Sequence, residues 1–286
     1  MLPFESSVVT VISLSAPIIL VVIGETITEK SGVINLSIEG TLLITALTAF
    51  AVSVTTGSPF LGFLCAGLVG SIAALIIILY PFINTTLLQK FASNWIFFIL
   101  AALKVLCGVS WRIEGIENLP KSPCILVSNH QGAWESFFLQ TLYHPSTSII
   151  KKELLYIPLF GWAFACLKPI YINRSNKFSS LKKVIKDGSR KIGEGSSIII
   201  FPEGTRARPQ KGLKPFSNSC GLLSVKNDVP IVPICHNSGL YWKNRRFIKE
   251  KGEIIIRIGP LLFDENPKKL TNKAYTWINK NFDEIN

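Results

Sequence analysis

Cys124-Ile125-Leu126-Val127-Ser128-Asn129-His130-Gln131-Gly132-Ala133-Trp134-Glu135 is the stretch on which the fold turns. The apolar run 124–128 has the length of a buried strand, and a polar turn with a glycine follows it. From Trp134 to Tyr143 the pattern becomes helical, with Phe137, Phe138 and Leu142 on one apolar face. Strand, loop and helix in that order place His130 at a strand end and Glu135 early in a helix. A histidine held by a carboxylate is a general-base unit, because the carboxylate fixes the tautomer and stabilises the imidazolium. Five helical steps turn about 500°, a net of about 140°, so the two side chains would diverge on one continuous helix. His130 must therefore sit in the loop or cap, with Glu135 folding back to it. The competing reading is a capping histidine beside a solvated glutamate.

Working outward, the same alternation continues. Trp111 to Asn118 reads as a short strand or lead-in, and Thr147 to Ile150 as a strand leading to Lys151. Leu155 to Leu167 is broken by Pro158 and Gly161, and its aromatics suit a membrane-interface surface, an acyl-chain wall or plain core. Pro169-Ile170-Tyr171-Ile172-Asn173-Arg174 is a strand ending in arginine, and Phe178 to Glu194 is an amphipathic helix. Ser196 to Phe201 is a β-branched strand that delivers Pro202-Glu203-Gly204-Thr205-Arg206. A glycine-containing turn with an arginine at a strand end suits a phosphate or oxyanion, through outward amides and bidentate guanidinium bonds. Leu213 to Val225 reads as helix after Pro215, Val229 to Ile234 and Glu253 to Ile258 as strands, and Asn266 to Phe282 as a final amphipathic helix. Strands alternating with helices predict an α/β domain whose strand-end loops form the site.

The first part of the chain differs. Residues 1–110 hold Glu5, Glu25, Glu29 and Glu39 against Lys30, Lys90 and Lys104, so they carry −1 and the remainder carries +13 of the chain's +12. Val8 to Ile23, Thr41 to Thr56 and Phe60 to Tyr80 are uncharged runs, and only the third approaches the roughly 20 apolar residues a span needs. Trp95 to Val109 is apolar around Lys104 and suits the interface, with Lys104 snorkelling. The start has no basic n-region, so no cleavable signal peptide is expected. These features predict N-terminal transmembrane helices over residues 1–90, followed by the α/β domain over 91–286. The basic excess suits anionic partners such as a phospholipid surface or an acidic carrier protein, and places the domain on the cytoplasmic side. No nucleic-acid-binding motif is present, and nucleic acid is not expected as a partner. Six cysteines show no C-x-x-C pair and read as reduced packing residues. His144 reads as a helix-end residue and His236 as a packing or hydrogen-bonding one.

Two resemblances add to this. Gly24 to Gly40 resembles the signature near the start of permease subunits of the sugar and nucleoside importers, and the likeness covers about residues 15–78. Such permeases need further spans, so the resemblance implies an anchor, with a transporter component as the alternative of a different class. Residues of about 95–265 resemble the glycerolipid acyltransferase family, closest to its bacterial 1-acyl-glycerol-3-phosphate members. Four motifs stand in that family's order: NHQGAWE at 129–135, PIYINR at 169–174, FPEGTR at 201–206 and VPIVP at 229–233. The resemblance implies an α/β domain with a central mixed sheet flanked by helices, and transfer of an acyl group to lysophosphatidic acid at a bacterial inner membrane. Acyl-CoA or acyl-carrier protein would be the co-substrate, with no cofactor. His130 would be the base, Glu135 its orienting group, and Arg174, Glu203, Gly204, Thr205 and Arg206 binders of the acceptor phosphate, with Lys151 as a further candidate. Glycerol-3-phosphate or another lysophospholipid is the alternative acceptor. Glu135 replaces the family's usual aspartate, and Pro215-Phe216-Ser217 lacks the lysine many members carry after the phenylalanine.

Overall fold

The structure is a computed structural model that describes residues 49, 53, 57–156, 160–173, 176–243 and 249–285. The chain divides into two compact units, Met1–Ile72 and Ala73–Asn286.

Helix α1 spans Pro59–Gly70 and α2 spans Ile72–Leu79. Ser58 starts α1 by accepting the Leu61 N–H on its hydroxyl at 3.3 Å, with Pro59 at the first helical position. The continuous span expected over Phe60 to Tyr80 is not formed, because the helix stops at Gly70 and Ser71 intervenes. Twelve and eight residues rise about 18 and 12 Å, against a hydrocarbon core of about 30 Å. Among the described residues no helix is long and apolar enough to cross a membrane. The expected spans Val8 to Ile23 and Thr41 to Thr56 lie outside the described residues, apart from Ala49 and Ser53.

Helix α3, Thr85–Cys107, is long but carries its polar groups toward the domain. Gln89 and Ser93 are buried; Gln89 accepts the Ser146 N–H and the Ser93 hydroxyl donates to the Gln140 carbonyl. Gly108, at φ +66, ends the helix and turns the chain into the sheet.

Seven strands follow: β1 Val109–Glu114, β2 Ile125–Ser128, β3 Ser146–Lys151, β4 Ile170–Ile172, β5 Ser197–Ile200, β6 Ile231–His236 and β7 Gly252–Ile258. Their order is β1-β7-β6-β2-β5-β3-β4, and every pairing is parallel except β6 with β7. This is the expected mixed sheet. Between the strands run α4 Trp134–Leu142, α5 Phe160–Cys166, α6 Lys177–Gly193, α7 Ser219–Asn227, α8 Ser238–Tyr241 and, last, α9 Pro267–Ile285. Every residue of β2, β5 and β6 is buried, which is why these strands read as unbroken apolar runs. One face shows the strand period of two: Ile125 and Val127 of β2, with Ile198 and Ile200 of β5, pack in one cluster with Leu223 of α7 and Leu270, Ala274, Ile278 and Phe282 of α9. Because β2, β5, β6 and β3 are parallel, their C-terminal ends share one edge of the sheet, and the loops there can meet.

The helix expected over Leu213 to Val225 is shorter and begins at Ser219. The segment before it is drawn off the helical path by tertiary bonds: Lys214 N–H donates to Glu203 and Ser217 N–H to the Pro202 carbonyl. Local hydrophobic periodicity carries no record of such bonds.

Candidate active site

Strand β2 ends at Ser128, and α4 starts at Trp134 with Glu135 in its first turn. His130 lies in the loop between, and its Nδ1 is 3.0 Å from Glu135 Oε1. The folding-back that the five-residue spacing requires is therefore made. Glu135 Oε1 also accepts the N–H groups of Gln131 at 2.8 Å and Gly132 at 2.6 Å, and Oε2 accepts the Ser238 hydroxyl at 2.8 Å. Glu135 is only 1% exposed. Burial by itself raises its carboxyl, but the imidazoles of His236 and His130 and the Gly132 amide outweigh this and hold it well below the usual carboxylate range. An ionised Glu135 makes Nδ1 the donor, and this leaves Nε2 as the basic nitrogen. The His130 ring stacks on Phe201, with centroids 4.4 Å apart.

The main chain of His130 is clamped from β5. Its N–H donates to Glu203 Oε1 at 2.7 Å, and its carbonyl accepts the Ala207 N–H at 2.8 Å. Glu203 Oε2 takes the Lys214 N–H at 3.0 Å. Burial pushes the Glu203 carboxyl up, partly offset by these two amides. Both of its oxygens thus bond to backbone amides, and these contacts brace the loop. Gly204 follows at φ +69, a left-handed conformation that glycine adopts without strain. Thr205 is exposed and Arg206 half-buried. The Lys214 ammonium donates to the Thr205 hydroxyl at 2.6 Å and the Arg206 carbonyl at 3.3 Å. Lys151 closes β3 on the same edge. Arg174 lies outside the described residues; the strand before it, β4, pairs in parallel with β3 and ends at Ile172.

A third set of bonds closes the arrangement from β6. The Asn129 side chain donates to the His236 carbonyl at 2.8 Å and accepts its N–H at 3.1 Å. His236 Nε2 lies 2.9 Å from the Asn129 carbonyl and so carries the proton; Nδ1 accepts the Ser238 N–H at 3.3 Å. Both ring nitrogens are used inside the protein, as the hydrogen-bonding reading of His236 expects. Burial lowers its pKa below the ordinary 6.5, partly offset by the nearby Glu135 carboxylate. As pH falls through about 6.5 the unfolded chain takes up a proton there more readily than the folded chain does. Each such histidine then removes stability, by at most about 1.4 kcal/mol per pH unit. Urea unfolding from pH 7.5 to 5.5 checks this: His236→Gln, whatever its absolute stability, loses one histidine's share of the slope, and an unchanged slope contradicts the assignment.

Sequence reasoning missed Lys214 and Ser238, and left Asn129 without a role. Asn129 had a signal, as the polar residue between a buried strand and the histidine. Lys214 stands just before the Pro-Phe pair where a following lysine was sought. Ser238 offered only a small polar residue after a buried strand. The five described cysteines are free, and burial raises their thiols, Cys124 to about 11, so they are packing residues.

The acyltransferase family model matches residues 110–237, the part that holds all of these groups but Ser238. The chain is 38% identical over 198 residues to a 1-acyl-sn-glycerol-3-phosphate acyltransferase of Pseudomonas aeruginosa, covering 68% of this chain and 77% of that protein. Proteins of the same name from Saccharomyces cerevisiae and Limnanthes douglasii are 28% and 34% identical, and the match spans 56% and 50% of their lengths. A crystal structure titled as the 1-acyl-sn-glycerophosphate (LPA) acyltransferase PlsC of Thermotoga maritima shares the fold: TM-score 0.62 at 19% identity, over 85% of this chain and 95% of that one. A model of the branched-chain amino acid transport system permease component matches residues 7–166, further than the permease likeness reads from sequence. Its last part overlaps β1, β2 and β3, which are strands of the α/β sheet. With a buried histidine–glutamate pair at that sheet's edge and a 38% identical match over 77% of the Pseudomonas protein, the chain belongs to the acyltransferase family.

Proposed function

We propose that the chain transfers an acyl group from acyl-CoA or acyl-carrier protein to the free hydroxyl of 1-acyl-sn-glycerol-3-phosphate, giving phosphatidic acid. The observation that carries this reading is the His130–Glu135 pair, welded through His130's own main chain to the FPEGTR loop. His130 Nε2 takes the hydroxyl proton as the oxygen attacks the thioester carbonyl. Collapse of the tetrahedral adduct breaks the C–S bond, and the imidazolium gives its proton to the departing thiolate. Holding both substrates at one sheet edge supplies much of the remaining acceleration.

Thr205, Arg206 and the amide-rich turn at Gly204 receive the acceptor phosphate, with Arg174 and Lys151 as further cations at that edge. Lys214 belongs with them, because its ammonium already lies on Thr205. Glu203 serves this site by holding the His130 and Lys214 amides rather than by meeting the anion. Lys214→Met raises KM for 1-acyl-sn-glycerol-3-phosphate about tenfold and leaves kcat near wild type, the pattern for lost uniform binding. An unchanged KM, or an equal loss with 1-monoacylglycerol, removes Lys214 from the phosphate site.

For location we propose the cytoplasmic face of a bacterial inner membrane. Helix α3 supports contact with lipid: its buried side carries Gln89 and Ser93, whereas Leu87, Phe98 and Val105, within about 20° on the helical wheel, are 51%, 55% and 83% exposed. Lys104 lies about 100° round the wheel from this stripe, toward Ser93, with its ammonium 5.9 Å from the Trp111 ring centroid. Trp162 and Tyr156 are exposed as well, which favours the interfacial use of the 155–167 segment, while Ala163 packs inward. Flotation of the full chain with anionic vesicles, and transfer activity in the floated fraction, test this; a chain that stays in the aqueous layer contradicts it. For the permease-like N-terminal part we propose an anchoring role. Three strands within the permease match are committed to the acyltransferase sheet, where a transport pathway could not use them.

A further inference from the structure

The base unit here contains a glutamate where the family's usual residue is an aspartate, and the longer side chain needs an extra restraint. A glutamate has one more rotatable bond, and immobilising it costs more conformational entropy than immobilising an aspartate. The structure supplies the restraint from a distant part of the chain. Oε1 of Glu135 is bonded by His130 and two local amides, but these meet at a single atom and leave the carboxylate plane free to turn about it. The second oxygen is held by the Ser238 hydroxyl at 2.8 Å, from the first residue of α8. Ser238 is fully buried, and its own N–H is fixed on His236 Nδ1. His236 Nε2–H is in turn fixed on the carbonyl of Asn129, the residue before His130. The bonds form a closed circuit: Asn129, His236, Ser238, Glu135, His130. Each member beyond His130 is at most 2% exposed, so water does not compete for these bonds.

We propose that Ser238 is a positioning residue that orients the Glu135 carboxylate, and through it the His130 tautomer, and that the Ser238–Glu135 bond is what adapts the site to a glutamate at position 135. Ser238 touches no substrate. Its effect passes through Glu135 to the proton on Nδ1, and so to the availability of Nε2. An aspartate at 135 is one methylene too short to keep both His130 and Ser238. In that background the serine hydroxyl has no carboxylate to hold.

The inference rests on the base role proposed for His130, and one of its two tests does not depend on the reaction. The first is a double-mutant cycle on the full chain. Ser238→Ala lowers kcat about tenfold with KM for acceptor and donor unchanged. In the Glu135→Asp background the same substitution changes kcat by less than twofold. Ser238→Cys, close in shape and a much weaker donor, matches Ser238→Ala in kcat, which separates the lost bond from a folding defect. A tenfold loss in both backgrounds, or a loss that appears in KM, overturns the proposal. The second test is the ¹⁵N spectrum of the imidazoles; with only three histidines in the chain, His130 is assigned by substitution. His130 is the Nδ1–H tautomer in the wild type and a mixture of tautomers in Ser238→Ala. An unchanged tautomer overturns the proposal even if the wild type acylates some other acceptor, whereas a shifted tautomer in a protein inactive on 1-acyl-sn-glycerol-3-phosphate faults the assigned reaction and leaves the Ser238 role standing.

Discussion

His130→Ala lowers acyl transfer by about 10³-fold in kcat, within the 10² to 10⁴ that a positioned general base contributes. On the proposed mechanism the acceptor hydroxyl loses the group that takes its proton, and no described side chain of the circuit replaces it. Asn129 is committed to β6, and the Glu135 carboxylate is bonded on both oxygens. KM for the acceptor stays near wild type if, as proposed, a different set of groups at Thr205, Arg206 and Lys214 holds the phosphate. The fold also survives: the main-chain bonds from His130 to Glu203 and Ala207 do not require the imidazole. Steady-state kinetics alongside a thermal melt separates these outcomes. Activity within tenfold of wild type places the base elsewhere.

Glu135→Gln produces the other large effect, and it acts on activity and stability together. The amide has one oxygen for a site in which both carboxylate oxygens accept. If that oxygen stays with the Gln131 and Gly132 amides, the NH₂ group faces the Ser238 hydroxyl, and the negative charge that stabilises the imidazolium is gone. We expect kcat to fall by about 10²-fold or more through loss of the charge and the fixed tautomer. Stability falls by about 1–3 kcal/mol, the usual cost of leaving a buried polar group poorly paired. Glu135→Asp keeps the charge and loses the reach, so its kcat lies between wild type and Glu135→Gln. An unchanged kcat in Glu135→Gln shows that His130 does not depend on this carboxylate.

Much of the fold was legible because its strands are buried on both faces. Continuous apolar runs such as Ile198–Ile200 and Ile231–Ile234 leave few other readings, and the amphipathic α6 and α9 alternate with them. The His130–Glu135 contact was legible from spacing, since the angular mismatch on a helix forces the loop geometry that the structure adopts. What sequence could not supply depends on distance along the chain. Glu203 reads as an anion-site residue because it sits in the FPEGTR run, yet its oxygens go to amides at 130 and 214. Ser238 lies 103 positions from the carboxylate it holds. The late start, at Ser219, of the helix expected over 213–225 has the same origin, in bonds from Lys214 and Ser217 back to the β5 loop. The apolar run over Phe60 to Tyr80 misled in another way. Composition alone cannot distinguish one span over Phe60 to Tyr80 from two short helices parted at Ser71. Nor does it tell a buried face from an exposed one on α3, where the polar residues turn inward.

The most direct test of the account is transfer of a labelled acyl group to 1-acyl-sn-glycerol-3-phosphate by the purified full chain in anionic vesicles, with acyl-CoA and acyl-carrier protein supplied in turn. A labelled diacyl phosphate product is expected with at least one donor, with one free thiol released per acyl group transferred and loss of both in His130→Ala. No product with either donor, or product formed equally well by His130→Ala, contradicts it.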